Sequence, residues 1–404
     1  MEYNNVINAR YIELCKAPVI VSMIKIELID ESEQNTLAEI SDYLSADNGG
    51  SIGINYQQGV RRSIEISIIN TDNALAPSAK TGLFWIGTKF KVHIGIKDYD
   101  RNDIYWFSQG VFYVNNPSNS RQSGGVLNIS GVDKFGILGN DLGYNQLTGA
   151  YLFKSGQKIY SIIRDILMLD KGNGFVIDPI EPVLDPLFKD EVLPYDINKG
   201  QGEYLGDILI ELANILGANI FYDINGRLNI KSGTLDMSYA QESPIWEFSD
   251  IELEYSNSSL NYAFSEVVNV ITVVGNNIND KVYTYTAENN NPNSPTRIEY
   301  VGRKEIPPIE TAMAYNDERA KDYAKFVLSR KSKLQLSMDF GSSLIPHLDV
   351  DSVCTITDGF FNYNKERFII QSINMPFSSH EQIKIGVCNT SSLPYYDLLE
   401  GGGT

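Results

Sequence analysis

Apolar and polar residues alternate along several stretches of the first 150 residues, and this pattern predicts β-strands. In the clearest stretch, 89–97, every second residue is apolar: Phe90, Val92, Ile94 and Ile96. The residues between them are Lys91, His93, Gly95 and Lys97. A period of two sends these sets to opposite faces, so we expect a sheet with one packed face and one face in water. Further strands are predicted at 19–29, 63–69, 104–115 and 126–132.

Between about 151 and 255 the apolar spacing changes to that of an amphipathic helix, in two stretches. The apolar positions are Ile159, Ile162, Ile163, Ile166 and Leu167 in the first stretch and Leu205, Ile208, Leu209, Leu212 and Leu216 in the second. Ser155 is the expected N-cap of the first helix, and Gly217 is placed to end the second in a left-handed conformation. Asn225-Gly226 predicts a hairpin turn, so this segment indicates a small α/β domain.

From 256 to about 390 the chain returns to strand patterns, predicted at 266–275, 352–357, 368–373 and 382–387, with one helix at 316–331. The fold class expected is therefore mainly β with an α/β insert. The predicted domains are a first β domain at 1–150, the α/β insert at 151–255 and a second β domain at 256–390. The segment 391–404 is predicted to be a flexible tail.

The composition favours a soluble protein with more than one domain. The chain has 404 residues, which is too long for a single ordinary core. Hydrophobic residues make up 43% of it, enough to form sizeable cores. Tyr (24) and Phe (17) are frequent, which suits many strands. The N-terminal residues do not resemble a signal peptide, and no run approaches the ~20 apolar residues of a membrane helix. We therefore expect no membrane insertion by this chain.

The charge and the cysteines narrow the function classes. A formal net charge of −18 repels nucleic acid and anionic membranes, although the same acidity could serve solubility alone. Cys15, Cys354 and Cys388 lie far apart and form no CxxC pair. They predict neither a disulfide framework nor a metal site, and they are typical of synthesis in a reducing compartment.

Candidate catalytic and metal-binding residues are isolated. His93, His347 and His380 have no second His or Cys at a metal-ligand spacing, and no GxSxG motif marks a nucleophile. We expect all three histidines to be structural or solvated. The sequence thus predicts no metal, no cofactor and no enzyme.

Two acidic pairs are candidates for the two catalytic carboxylates of a glycosidase: Asp349 with Asp351, and Asp100 with Asp103. Such pairs arise by chance among 51 acidic residues. The segment 223–227, DINGR, begins like a calcium loop but lacks the later acidic ligands, so a hairpin turn explains it better.

One apolar cluster interrupts the loop between two predicted strands. Phe84, Trp85 and Ile86 lie between Gly82 and Gly87. They either fill the core of their own domain or form a contact with a partner, because exposed apolar patches usually mark interfaces.

The order of these features resembles the baseplate hub or tail-tip hub proteins of long-tailed bacteriophages and related contractile injection particles. The motifs that carry the resemblance are SIEISIINTDN with GLFWIGTKFKVHIGI, IYWFSQGVFYV, LNISGVDKF, ILIELANILGANIFYDINGRLNI, VVNVITVVGN and QIKIGV. They include Gly131 and Asp133 of a Gly-x-Asp strand end, and Asp223, Gly226 and Leu228 of a hairpin. The resemblance spans about 20–390. The lysozyme-like domain that some relatives carry is not seen, so we expect the hub alone.

The resemblance implies a homotrimer with two β-barrel-like tube domains per chain, so that three chains match a six-fold tail tube and strands of neighbouring subunits pair. It implies a structural virion protein of the tail baseplate or tip, assembled in the host cytoplasm. Its partners would be the tail tube or distal tail protein, the tape measure protein, and tip, spike or fibre proteins. DNA would only pass through. Phe84, Trp85 and Ile86 would then form a partner interface.

A DNA-conducting channel should carry more acid than base, because several Lys or Arg side chains would bind phosphate. Lys91, His93 and Lys97 are then expected to point away from it. Two alternatives stay open. The first is a carbohydrate- or receptor-binding β protein of the tail tip, which the Tyr and Asn content suits. The second is a cryptic glycosidase.

Overall fold

A computed structural model describes residues 7–45, 49–77, 83–121, 125–139, 142, 146–169, 176–232, 242–252, 255–278, 280–378 and 381–389. His380 and the predicted tail at 391–404 lie outside the described residues. As predicted, the described chain is mainly β.

The strands and helices follow one another in three groups. The first group is α1 Ala9–Cys15, β1 Ser22–Ile29, β2 Thr36–Glu39, β3 Gly50–Asn55, β4 Arg62–Ile69, β5 Lys89–Asp98, β6 Asp103–Val114, β7 Ser118–Ser120 and β8 Val126–Asp133. The second is β9 Tyr151–Phe153, α2 Ile159–Leu167, β10 Val183–Leu184, β11 Ile197–Lys199, α3 Leu205–Leu216, β12 Ala218–Tyr222, β13 Leu228–Ser232 and β14 Trp246–Ser249. The third is β15 Ser256–Tyr262, β16 Val270–Ile278, β17 Lys281–Glu288, α4 Ile298–Val301, β18 Ile309–Thr311, α5 Asp317–Lys331, β19 Leu336–Ser342, β20 Val353–Asp358, β21 Tyr363–Pro376 and β22 Ile383–Asn389.

One large sheet joins the first and third groups. Its strand order is β15-β19-β22-β21-β3-β4-β8-β6-β5-β1-β2, with β7 beside β8 and with β20 and β14 branching from β21. The joint is antiparallel and runs from Ser372 opposite Asn55 to Pro376 opposite Ser51. Alternate side chains from both groups point inward and form a single apolar core. Its members include Ile52, Ile54, Ile64, Ile66, Ile373, Met375, Ile383 and Ile385.

The expectation of one face in water is wrong for β5, whose two faces are both covered. His93 is only 8% exposed. The loop between β1 and β2 covers the lysine side, where Lys91 Nζ donates to the carbonyl of Glu33 at 2.8 Å. The hairpin of β12 and β13 covers β6 next to it, where Ser108 Oγ donates to the carbonyl of Ile224 at 2.7 Å. Contacts from outside the sheet therefore override the alternating pattern.

The predicted helices and hairpin of the middle segment are confirmed, with two corrections. The N-cap position of α2 is Lys158, whose side chain makes no capping hydrogen bond, and not Ser155, whose hydroxyl donates to the carbonyl of Leu193 at 3.3 Å. Gly217 ends α3 with φ 69° as predicted. The hairpin uses a three-residue loop, since Asp223 N–H donates to Arg227 and Gly226 takes the left-handed position with φ 72°. The helices pack on the three-stranded sheet β10-β13-β12.

A second small unit lies between β15 and β19. The sheet β17-β16-β18 packs against α5 in an apolar cluster of its own. Asn316 caps α5 by accepting from Arg319 N–H at 2.8 Å, one residue before the helix proper. The strand β14, from the segment predicted as the insert, pairs with β20 in the large sheet. The domain limits at 150, 255 and 390 stay predictions.

Candidate functional site

The two described histidines are buried in structural contacts. His93 Nε2 lies 3.2 Å from Glu27 Oε2, and burial lowers the pKa of His93 to about 4. His347 Nδ1 lies 2.8 Å from Tyr11 Oη and its ring packs on Trp246, and burial again lowers the pKa to about 4. Both rings therefore stay neutral near pH 7 and occupy the interior of the fold.

The weighed carboxylate pairs are engaged by other groups. Both oxygens of Asp349 accept from Arg62 Nη2, at 2.7 and 2.6 Å. Asp351 is buried and lies 3.7 Å from Lys231 Nζ. Arg10 binds Asp100, whereas Asp103 accepts from the N–H of Ile104. These contacts give the acids structural partners.

Cys15, Cys354 and Cys388 form no disulfide, and Cys354 and Cys15 are buried. Burial raises the pKa of Cys388 to about 11 and that of Cys354 still further, so both stay protonated thiols near pH 7. Among the residues that the structure describes, no three His, Cys, Asp or Glu side chains form a group that could hold a metal ion. No helix in the described ranges is long and apolar enough to span a membrane.

Two of the resemblance motifs, the end of β8 with Gly131 and Asp133 and the β12–β13 hairpin, lie where the large sheet meets the α2/α3 unit. Asp133 is buried and accepts from three backbone N–H groups, those of Arg61 (2.8 Å), Arg62 (2.9 Å) and Phe135 (3.0 Å). Burial raises its pKa to about 6, against the lowering effect of those hydrogen bonds. Gly131 leaves no room for a side chain, because a Cβ there would lie 2.8 Å from Ile64 and 2.9 Å from Phe90.

A buried charge network holds the same junction. Lys134 Nζ lies 2.8 Å from Glu33 Oε1 and 2.9 Å from Asp178 Oδ2, and it donates to the carbonyl of Gly226 at 3.0 Å. Tyr222 Oη donates to Asp178 at 2.8 Å. The network connects the loop after β1, the end of β8 and the β12–β13 hairpin, so it fixes the α2/α3 unit against the large sheet. Sequence reasoning missed it, since its members are scattered along the chain.

The three residues of the apolar cluster before β5, Phe84, Trp85 and Ile86, differ in burial. Phe84 is 1% exposed and belongs to the main core, so it fills its own domain. Trp85 and Ile86 are 43% and 67% exposed. Together with Pro117 they border a cavity of about 450 Å³. Trp85 and Ile86 remain available for an interface.

A groove of about 1150 Å³ lies on the outer face of the joined sheet. It crosses the β21–β3 joint. Cross-strand pairs form a row of small or polar residues over five strands: Gly341, Lys384, Asn374, Gly53 and Ser63. A parallel row contains Ser259, Asp339, Gly386, Ser372 and Asn55. We call this face of β15, β19, β22, β21, β3, β4, β8 and β7 the polar wall.

Glycines allow close packing across the polar wall. A Cβ at Gly386 would lie 2.4 Å from Ser372 Oγ, and one at Gly341 would lie 2.7 Å from Gln382 Oε1. The charged residues that line the groove are Glu65, Asp339 and Glu381 against Lys384, a net charge of −2 from three acids and one base. The wall thus presents hydroxyl and amide groups with an acidic excess.

Comparison by sequence finds no match for this chain, whereas comparison by structure finds several. No protein-family model matches the sequence, and no curated protein is similar to it in sequence. Solved structures share its fold. A tail protein from Neisseria meningitidis MC58 superposes with a TM-score of 0.61 and 11% identity, covering 93% of this chain and 99% of that one. The 43 kDa tail protein of prophage MuSo2 from Shewanella oneidensis superposes with a TM-score of 0.59 and 14% identity, covering 91% of this chain and 99% of that one.

A third match is the prophage tail protein gp18 from Listeria monocytogenes EGD-e, with a TM-score of 0.50, 10% identity and coverage of 93% and 98%. The shared fold extends over nearly the whole length of each of the three proteins. The chain therefore has the fold of phage tail proteins, in agreement with the resemblance drawn from its motifs.

Proposed function

We propose that this chain is a trimeric hub of a phage tail baseplate or tail tip, and that its polar wall lines the central channel. The observation that carries the proposal is the wall itself. Two parts of the chain more than 300 residues apart join through β3 and β21 into one sheet, whose outer face is polar and acidic. A polar, acidic face does not pack into an apolar core, whereas a channel that conducts DNA requires a lining of this kind.

The chemistry of the wall suits the passage of DNA. Phosphates bind where Lys and Arg displace counterions, and single strands bind where bases stack on aromatic rings. The charged lining is Glu65, Asp339, Glu381 and Lys384. A surface of neutral hydroxyl and amide groups with an acidic excess offers DNA neither a phosphate-binding site nor an aromatic ring for base stacking. Lys91 and His93 do not line this groove, as the channel model requires.

The dimensions agree with a channel. The polar wall has eight strands, so three copies give 24 strands and, at about 4.8 Å per strand, a perimeter of about 115 Å. The backbone diameter is then about 37 Å, and strand tilt increases it. Side chains narrow this bore but leave room for a double helix.

Trp85 and Ile86 supply a contact surface for a neighbour. Their exposed apolar area beside the 450 Å³ cavity suits the insertion of an apolar group from another chain. In this proposal the neighbours along the tail are the tail tube or distal tail protein and the tape measure protein on one side. Tip, spike or fibre proteins lie on the other. The chain acts in the virion after assembly in the host cytoplasm.

The proposal is tested by reversing the charge of the polar wall. The variant Glu65→Lys/Asp339→Lys changes the lining from −2 to +2 and should make the assembled protein retain DNA in a low-salt filter-binding assay. The control Glu299→Lys/Glu318→Lys makes the same change of charge at exposed positions on α4 and α5, outside the groove. DNA retention that is equal for the two variants would show that the wall does not face DNA.

A further inference from the structure

A cleft of about 450 Å³ lies between the large sheet, the tip of the β12–β13 hairpin and the loop between β19 and β20. Its volume falls in the range of about 300–1,000 Å³ that small-molecule sites occupy. We call it the hairpin cleft. Its aromatic and polar lining includes Trp106, Ser108, Gln109, Asn225, His347 and Asp349.

A β-bulge shapes the sheet side of the hairpin cleft. Consecutive residues of β5 stand opposite Gly110 and Ser108 of β6, so Gln109 is an extra residue between these two. Side chains of a regular strand alternate between two faces, whereas a bulge re-aims a side chain, and bulges are common next to active sites. Ser108 and Gln109 are neighbours in the chain, and both line the cleft. The irregular geometry of β6 thus brings additional polar groups to it.

Polar groups of the hairpin cleft keep acceptor capacity for a ligand. Gln109 is 1% exposed, and its Nε2 donates to the carbonyl of Pro346 at 2.8 Å. Its Oε1 accepts from no residue that the structure describes. The buried Arg62 holds the carboxylate of Asp349, whose side chain remains 35% exposed. An amide oxygen and a fixed carboxylate are acceptors for the hydroxyl groups of a ligand.

Trp106 gives the hairpin cleft an aromatic surface. Gly95 stands opposite Trp106 on β5. A Cβ at Gly95 would lie 2.8 Å from Trp106 Cε3 and 3.0 Å from Cδ2, so the indole leaves no room for a side chain there. The ring therefore rests against the strand, and it remains partly exposed where it borders the cleft. An aromatic ring held in this way can pack on an apolar face of a ligand.

The charges of the hairpin cleft favour a neutral ligand. Its charged lining residues are Lys91 and Asp349. Lys91 Nζ donates to a backbone carbonyl of the β1–β2 loop, and Asp349 is paired with Arg62. Phosphate groups bind where several cations converge, and cationic ligands bind over aromatic rings beside acids without a partner. A sugar ring fits better, since its C–H face packs on an aromatic ring while its hydroxyls bond to amides and a carboxylate.

We propose that the hairpin cleft binds one neutral pyranose residue, with the C–H face of the sugar on Trp106 and its hydroxyls on Asp349, Gln109 and Asn225. Asn225 is exposed at the tip of the hairpin, and its amide can donate as well as accept. The described residues that line this cleft and those that line the groove of the polar wall are different sets. Sugar binding here is therefore independent of the proposed hub function.

Saturation-transfer NMR with free monosaccharides tests the site. The full chain is mixed with glucose, galactose, mannose or N-acetylglucosamine at about 5 mM, because a ligand of this size is expected to bind with a Kd of about 1 mM. Ring C–H protons of at least one sugar should receive saturation. Trp106→Leu should raise the Kd about tenfold by removing the aromatic ring. Asn225→Ala should raise it about fivefold by removing a hydrogen bond.

The matched control is Trp85→Leu, which changes an exposed tryptophan outside the hairpin cleft and should leave the Kd unchanged. Trp106→Phe keeps an aromatic ring and should weaken binding less than Trp106→Leu. Melting curves show which variants fold, and Asn225→Ala changes an exposed turn position, so it tests the site even if Trp106→Leu does not fold. Absence of transfer to all four sugars, or a Kd that the folded cleft variants leave unchanged, would overturn the inference.

Discussion

Acid should destabilise this protein through His93 and His347. Burial lowers the pKa of each to about 4, whereas histidine in an unfolded chain titrates near about 6.5. The folded state therefore binds the proton more weakly than the unfolded state. It follows that this contribution to stability is complete above about pH 6.5 and is lost as the pH falls towards about 4.

The magnitude follows from the difference between the two pKa values. The difference of about 2.5 pH units corresponds to a loss of about 3.4 kcal/mol in the free energy of unfolding per histidine once the pH is well below about 4. At about pH 5 the loss is about 2 kcal/mol per histidine. Asp133 acts in the opposite direction, because burial raises its pKa to about 6 and its folded form gains protons as the pH falls. That gain is about 1 kcal/mol at about pH 5, so the two histidines still dominate.

Urea unfolding followed by tryptophan fluorescence measures the effect at about pH 7 and about pH 5. The wild type should lose about 2 kcal/mol more on this change than His347→Gln, which removes the titrating group but retains a hydrogen-bonding side chain. Asp133 is present in both proteins, so its contribution cancels. His93→Gln should show the same difference. Equal losses in the wild type and both variants would refute the reasoning.

Three further outcomes are expected. Lys134→Met should destabilise the protein by about 3–5 kcal/mol in urea unfolding, because it leaves Glu33 and Asp178 buried without their cation; a loss below about 1 kcal/mol would contradict this. Gly386→Val should lower the melting temperature, since its side chain collides with Ser372, and an unchanged melting curve would argue against the tight wall. Trp85→Ser should change monomer stability by under about 1 kcal/mol yet weaken assembly measured by light scattering.

The strand β4 was predictable because its local pattern and its final burial agree, whereas in β5 the alternation predicted the strand but not the burial of both its faces. In β4 the buried residues Ile64, Ile66 and Ile68 are those that the alternation selects. The helices α2 and α3 were predictable for the same reason. The resemblance was carried by such elements, together with Asp133 at a strand end and Gly226 in a turn.

The polar wall was not predictable, since it depends on pairing between distant segments. In β3 only Ile52 and Ile54 are apolar, and the Gly and Ser residues around them favour a loop from local propensity. Pairing with β4 and β21 overrides that propensity. The short helix α1 was missed as well. Its Tyr11 is buried against His347 from the far end of the chain, a contact that no local pattern reveals.

The central claim is that the polar wall faces the axis of a trimeric ring. A reconstruction of the assembled protein by electron cryo-microscopy tests it most directly. The predicted result is a ring of three chains in which Glu65, Asp339 and Lys384 point to the channel and the α2/α3 unit lies outside. A ring in which this face is buried between subunits or turned outward would contradict the account, as would a channel lined by a net positive charge.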